Sequence, residues 1–146
     1  MENTYKLGKK MRNKDIFVEK LRSSGLRPTK QRIIISKLLF DRKNTFHFSI
    51  DYLNNLLKKK SEEKISLATI YNTVHAFKDA GHLNEVEVKG NKTYFDTNVS
   101  AHHHFYDSET SELIDINADE VVIQKIPKAP NGKKIKNVEV FINLKN

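Results

Sequence analysis

Ser66 to Gly81, Ser-Leu-Ala-Thr-Ile-Tyr-Asn-Thr-Val-His-Ala-Phe-Lys-Asp-Ala-Gly, constrains this chain more than any other stretch. It reads as a helix with both ends marked. The Ser66 hydroxyl can accept an orphan N–H of the first turn, and Gly81 suits the left-handed position just past the last one. Leu67, Ile70, Val74 and Phe77 fall at i, i+3, i+7 and i+10, which predicts one apolar stripe. The opposite face carries Ala68, Thr69, Asn72, His75 and Ala76, with Tyr71 on its flank. No carboxylate appears there before Asp79, so the face could enter a major groove without meeting phosphates with negative charge. An ordinary amphipathic helix with a polar outside has the same pattern, so the surroundings must decide.

Those surroundings place the helix fourth. Asn13 to Ser24 reads as a short helix stopped by Gly25. Pro28 turns the chain away from helical geometry at Arg27, and Thr29 can cap a dense helix from Lys30 to Phe40. A loop, Asp41 to Phe48, ends at Ser49, which caps a third helix with Ile50, Leu53, Leu56 and Leu57 on one side. After Gly81 the period changes to two. Leu83–Lys89 and Lys92–Asp96 alternate as strands around Gly90-Asn91, a two-residue hairpin signal. Helices followed by a β-hairpin wing predict a winged helix-turn-helix over residues 1–97, with residues 1–12 as a disordered basic arm. Lys89 and Lys92 of the wing would then lie near a phosphate backbone.

Residues 98–146 have another character. His102–Tyr106 and Leu113–Ile116 read as strands. Asn117 and Glu120 resemble a capping box opening a helix through Ile126, and Asn137–Leu144 alternates as a strand. So small an α/β unit buries too little to be stable alone, which predicts a homodimer formed through it. The expected fold class is α+β.

Charge follows the same division. Residues 1–82 hold 18 Lys and Arg against 8 Asp and Glu, whereas residues 83–146 hold 8 Lys against 10 acidic residues. A basic half joined to a slightly acidic half points to double-stranded DNA as partner, and two copies would address two half-sites. No apolar run approaches the roughly 18 residues of a membrane span, and the first residues lack the apolar core of a secretory signal. A cytoplasmic location without membrane contact is expected. The chain has no cysteine, which excludes disulfides, thiolate nucleophiles and cysteine-bound zinc.

His102-His103-His104 carries the least ordinary chemistry. In an extended segment His102 and His104 share a face and His103 takes the other. Asp96, Asp115 and His47 are the oxygen and nitrogen donors most easily brought near. Such a set suits zinc, manganese or ferrous iron, and paired imidazoles also suit haem iron. His75 and His82 each stand alone and read as structural or DNA-facing. Catalytic signatures are missing: there is no His-Glu-x-x-His, phosphate-cradling glycine loop or Gly-x-Ser-x-Gly. The chain is expected not to be an enzyme.

Gly25-Leu26-Arg27-Pro28-Thr29-Lys30-Gln31-Arg32, His47-Phe48-Ser49, Ser66-Leu67-Ala68-Thr69-Ile70-Tyr71-Asn72-Thr73, Lys92-Thr93-Tyr94-Phe95-Asp96 and His102-His103-His104 together resemble the ferric uptake regulator family. Tyr94-Phe95-Asp96-Thr97-Asn98 followed by the histidine triplet is similar to its iron response regulator branch. The resemblance covers roughly residues 14–125. It implies a dimeric regulator whose Tyr71 and helix neighbours meet bases, with Arg27 reaching the minor groove. The DNA-binding set is thus Arg27, Thr29, Arg32, Ser66, Ala68, Thr69, Tyr71, Asn72, Lys89 and Lys92. It implies a regulatory metal site drawn from His47, Asp96, His102 or His103, and His104, with Asp115 matching a carboxylate of the neighbouring site. It also implies haem as an effector on His102, His103 and His104 that disables the regulator. Activation by iron, manganese or zinc is the alternative. The two Cys-x-x-Cys pairs of the wider family are absent, so its usual structural zinc cannot form.

Overall fold

The computed structural model describes residues 16–146; the basic arm over residues 1–12 and the expected helix start at Asn13 lie outside the described residues. The chain divides into two compact units, Met1–Val99 and Ser100–Asn146. The architecture is α+β.

The first unit runs α1 (helical over residues 16–23), α2 (Lys30–Phe40), β1 (His47–Phe48), α3 (Ile50–Lys60), α4 (Leu67–Asp79), β2 (Asn84–Val88) and β3 (Lys92–Asp96). Helix starts fall where the capping side chains stand. Thr29 accepts from the Arg32 amide, Ser49 from Tyr52 and Ser66 from Thr69. Each satisfies a first-turn donor that would otherwise go unbonded. Gly25 and Gly81 follow their helices at φ +75° and +83°, the left-handed geometry a side chain would strain. One core joins all four helices to the small sheet: Leu21, Ile35, Leu39, Leu53, Leu57, Ile70, Val74 and Phe77 pack with Phe48 and Phe95. Phe77 meets Phe40 edge-on at 5.2 Å and 86°. Burying such side chains contributes roughly 1.5–3 kcal/mol each.

The sheet has order β1-β3-β2, antiparallel throughout. Two details differ from the periodicity. The stretch expected as a loop ends in β1, a two-residue strand paired with β3. The wing turn has three residues, because Val88 pairs with Lys92 and Lys89 leaves the strand. Gly90 and Asn91 both take positive φ in it.

The second unit is a three-stranded sheet of order β5-β4-β6, built from β4 (His102–Asp107), β5 (Glu112–Asn117) and β6 (Phe141–Leu144). β4 is central, antiparallel to β5 and parallel to β6. The helix expected from Asn117 to Ile126 does not form. The Asn117–Glu120 capping box is present but closes only a 3-10 turn, Ala118–Glu120. Val121, Val122 and Ile123 follow at once, and three β-branched residues are a poor place to propagate a nucleus that is itself costly. The last strand is also shorter than its alternation suggests, starting at Phe141 and not Asn137.

Candidate metal centre and DNA-reading surface

In the first unit β1 and β3 hold His47 opposite Asp96 and Phe48 opposite Phe95. Alternation along a strand puts the polar pair on one face and the phenylalanines on the other. The phenylalanine face belongs to the core, so packing fixes the strands that present the polar pair. Asp96 is fully buried, and a carboxylate there needs partners to offset its lost hydration. Its Oδ1 accepts from the Asn98 amide at 2.8 Å, and its Oδ2 lies 3.1 Å from His47 Nε2. Thr97 adds a clasp: its Oγ1 accepts from the Phe46 amide at 2.8 Å, and its own amide donates to the Phe46 carbonyl. Thr97 and Asn98 were legible only as part of a family mark; their physical role is to hold the strand ends that carry His47 and Asp96.

In the second unit His104 faces Asp115 across β4 and β5, and His102 lies two residues back on the same face. His102 Nδ1–H donates to the Ser100 carbonyl at 2.7 Å. A carbonyl only accepts, so the Nε2 lone pair of His102 is directed at the cluster. That Nε2 lies 3.0 Å from His104 Nε2, and Asp115 Oδ1 lies 3.2 Å and 3.3 Å from the two. Donor atoms at ~2.0–2.2 Å from one cation are themselves ~3.0–3.4 Å apart in octahedral or tetrahedral coordination. The three atoms have this spacing and consist of two imidazole nitrogens and a carboxylate oxygen. The set therefore fits a borderline divalent cation. Phe141 stacks on His104 at 5.7 Å, and Glu139 Oε1 lies 3.5 Å from His104 Nδ1. His103 points the other way, is buried, and its Nδ1 accepts from the Val140 amide at 2.9 Å. The structure thus brings His102, His104 and Asp115 together and leaves His103 outside the cluster.

The face of α4 expected to read DNA is exposed at its N-terminal half. Tyr71 is 52% exposed, and Ala68 and Asn72 are also open. Leu67, expected on the core stripe, is 51% exposed because the first turn projects past the core. Ser66 is committed to the cap and its Oγ lies 2.9 Å from Thr69 Oγ1. Thr29 likewise serves as a cap, while Arg32 Nη1 donates to the Arg27 carbonyl at 3.0 Å and leaves the Arg27 guanidinium exposed. Lys89 and Lys92 are exposed at the wing tip. Two contacts that no local pattern announces tie the start of α2 to the loop before α4: Lys30 to Glu63 at 2.6 Å and Gln31 Nε2 to the Lys64 carbonyl at 3.2 Å.

A capped, exposed helix followed by a hairpin wing, in a chain that also carries a histidine–carboxylate set on a small β unit, defines a winged-helix protein with a second domain that carries candidate metal ligands. The chain belongs to the ferric uptake regulator family, whose model matches residues 23–144. Members of that family are dimeric, DNA-binding, metal-responsive regulators of transcription and not enzymes. The chain is 31% identical over 98 residues to the ferric uptake regulation protein of Rhizobium leguminosarum bv. viciae, covering 66% of this chain and 67% of the relative. It is 32% identical over 98 residues to the peroxide-responsive repressor PerR of Staphylococcus epidermidis, covering 67% and 63%. The match thus spans about two thirds of the length of these curated relatives. The solved ferric uptake regulator from Pseudomonas aeruginosa with manganese has the same fold, with TM-score 0.63, 21% identity and coverage of 88% of this chain and 96% of that one. No helix among the described residues is long and apolar enough to cross a membrane.

Proposed function

We propose that this chain is a metal-activated transcription regulator that binds double-stranded operator DNA as a homodimer in the cytoplasm. The observation that carries this reading is the triangle of His102 Nε2, His104 Nε2 and Asp115 Oδ1, with edges of 3.0–3.3 Å. The reading keeps His47 and Asp96 of the first unit as candidate metal ligands, as the family resemblance implies. A divalent cation, when bound, supplies positive charge that balances a ligating carboxylate. His102 is held in the ligating tautomer by Ser100, and the Asn98 amide and the His47 neighbour offset the lost hydration of the buried Asp96 side chain. Cation binding would favour the DNA-binding pose of the helices, so DNA affinity rises with occupancy. Arg27, Arg32, Lys89 and Lys92 are assigned to phosphates and the flanking groove. Ala68, Tyr71 and Asn72 of α4 are assigned to base edges. Dimerisation is supported by the apolar side of the second unit, where Phe105 is flanked by Ile114 and Ile142 across the sheet, both exposed.

The finer reading, a regulator switched off by haem, rests on the run His102-His103-His104 itself. Here the imidazoles of His102 and His104 face each other and Asp115, and His103 is engaged with the Val140 amide. The side chains of His102 and His104 are 7% and 1% exposed, which supports the bare cation over a porphyrin.

A titration of chelator-treated protein on an operator duplex, with Mn²⁺ or Zn²⁺ in one series and haem in another, tests both. Metal should raise operator affinity by about 5–150-fold, and Asp115→Asn should abolish that gain. Operator binding that ignores metal and is released by haem would replace the first reading with the second.

A further inference from the structure

We propose that His75 is a positioning residue that sets the pose of Tyr71 and ties it to the strand bearing Asp96; the proposal rests on the assignment of Tyr71 to base reading. Tyr71 and His75 stand at i and i+4 on α4, where side chains meet. Their rings pack with centroids 4.1 Å apart at 39°. The edge of the same imidazole meets the Phe95 ring at 5.5 Å and 83°. Phe95 stacks in turn on Phe48 at 5.7 Å and 27°. Phe95 and Phe48 are the chain neighbours of Asp96 and His47 and pair across the same two strands. One face of that ladder therefore holds the polar pair, and the other holds the aromatic pair against which His75 is docked.

A lone helical histidine on a partly exposed face needs no ring partner, yet this one has two. The Phe95 contact is edge-to-face, a geometry aromatic rings favour, and the Tyr71 contact is a close tilted one. A half-exposed tyrosine free to rotate would lose rotamer entropy on meeting a base. One leaning on a fixed ring has lost it already, which favours complex formation. Were His47 and Asp96 to take up a ligand, as the proposed function assigns, any shift of β1 and β3 would be felt at Phe95 and so at the ring on which Tyr71 rests. His75 thus converts the state of the polar pair into the pose of a reading residue.

The test uses the full-length chain, a duplex it selects from a random-sequence DNA pool, and a scrambled duplex of the same composition. Affinities for both are measured with Zn²⁺ and with chelator, for the wild type, His75→Ala, His75→Asn, His75→Phe, Tyr71→Ala and the Tyr71→Ala/His75→Ala double variant. The ratio of selected to scrambled affinity should fall about fivefold in His75→Ala and His75→Asn. It should be retained in His75→Phe, which keeps a ring. In the Tyr71→Ala background the further loss of His75 should change the ratio by less than about 1.5-fold. The gain on adding Zn²⁺ should shrink in the ring-less variants while their thermal unfolding midpoints stay near that of the wild type. Additive losses, or a ratio that His75→Phe fails to restore, overturn the role of His75. A ratio unchanged by Tyr71→Ala overturns the reading assignment itself and this proposal with it. Should His75→Ala fold poorly, the comparison of His75→Asn with His75→Phe decides the same point.

Discussion

The two units of this chain keep their apolar side chains in opposite ways. The first buries Leu21, Ile35, Leu39, Leu53, Ile70, Val74, Phe48, Phe77 and Phe95 to within 1% exposure in one contiguous core. The second buries Tyr106, Leu113 and Ile116 but leaves Ile114, Val122, Ile126, Val138 and Ile142 at 40% exposure or more. A winged-helix unit of about eighty described residues can close a core on itself, whereas a three-stranded sheet with one 3-10 turn cannot. The contrast separates two kinds of stability. The exposed face of α4 stands on packing internal to one copy, and the histidine set stands on a sheet whose apolar side is open in one copy and which the proposed dimer would cover.

The sharpest way to break the contrast is to hollow the first core. Phe77→Ala removes a fully buried ring that touches Phe40 and His82, and should cost about 3–5 kcal/mol. Chemical denaturation followed by circular dichroism measures it, with no change expected in the mass of the dimer. A loss of under about 1 kcal/mol would mean that this core is loosely packed and the contrast overstated. The next effect lies on the other side. Ile142→Lys should leave the unfolding of the first unit unchanged and weaken the dimer, since each isoleucine newly buried in an interface contributes roughly 1.5–3 kcal/mol. Sedimentation across a concentration series should show the monomer appearing at least about tenfold earlier on dilution than for the wild type. An unshifted equilibrium would place the dimer contact elsewhere on the sheet.

The same contrast governs what could be read from residues alone. Local signals were reliable where one residue does one local job. Thr29, Ser49 and Ser66 each cap the helix their position announces, and Gly81 takes its left-handed turn. They failed where a distant partner decides. β1 exists because His47 and Phe48 pair with Asp96 and Phe95, 47 to 49 positions away by the pairing register, and no two-residue period can signal that. The capping box at Asn117 formed and the helix did not, because the residues after it prefer extended backbone. At the site, extended alternation alone separates His102 and His104 from His103, and the register supplies Asp115 as their neighbour. The Ser100 carbonyl that fixes the His102 tautomer is a backbone group and carries no residue-type signal, and the Thr97 hydroxyl meets the Phe46 amide 51 positions away, which no local pattern announces.

The smallest effect sharpens the contrast from the first unit's side through pH. His82 follows Gly81, contacts Phe77 through its ring, and its Nε2 lies 2.8 Å from Ser23 Oγ. Burial, and then the nearby Lys20 ammonium, hold its pKa below the usual histidine value. The unfolded chain, with a histidine titrating near 6.5, therefore takes up a proton at a pH where the folded chain does not. Stability from this residue is fully present above about pH 6.5 and is lost as the pH falls below it. His82→Gln removes the titration and keeps a polar atom for Ser23. Its unfolding midpoint should therefore fall less steeply between pH 7 and pH 5 than that of the wild type, and Lys20→Ala should move the slope in the same direction by less. Because Ser23, Lys20 and Phe77 all lie in the first unit, the change should appear in its unfolding transition and leave the dimer equilibrium untouched. Parallel slopes for wild type and His82→Gln would assign the acid sensitivity to other groups.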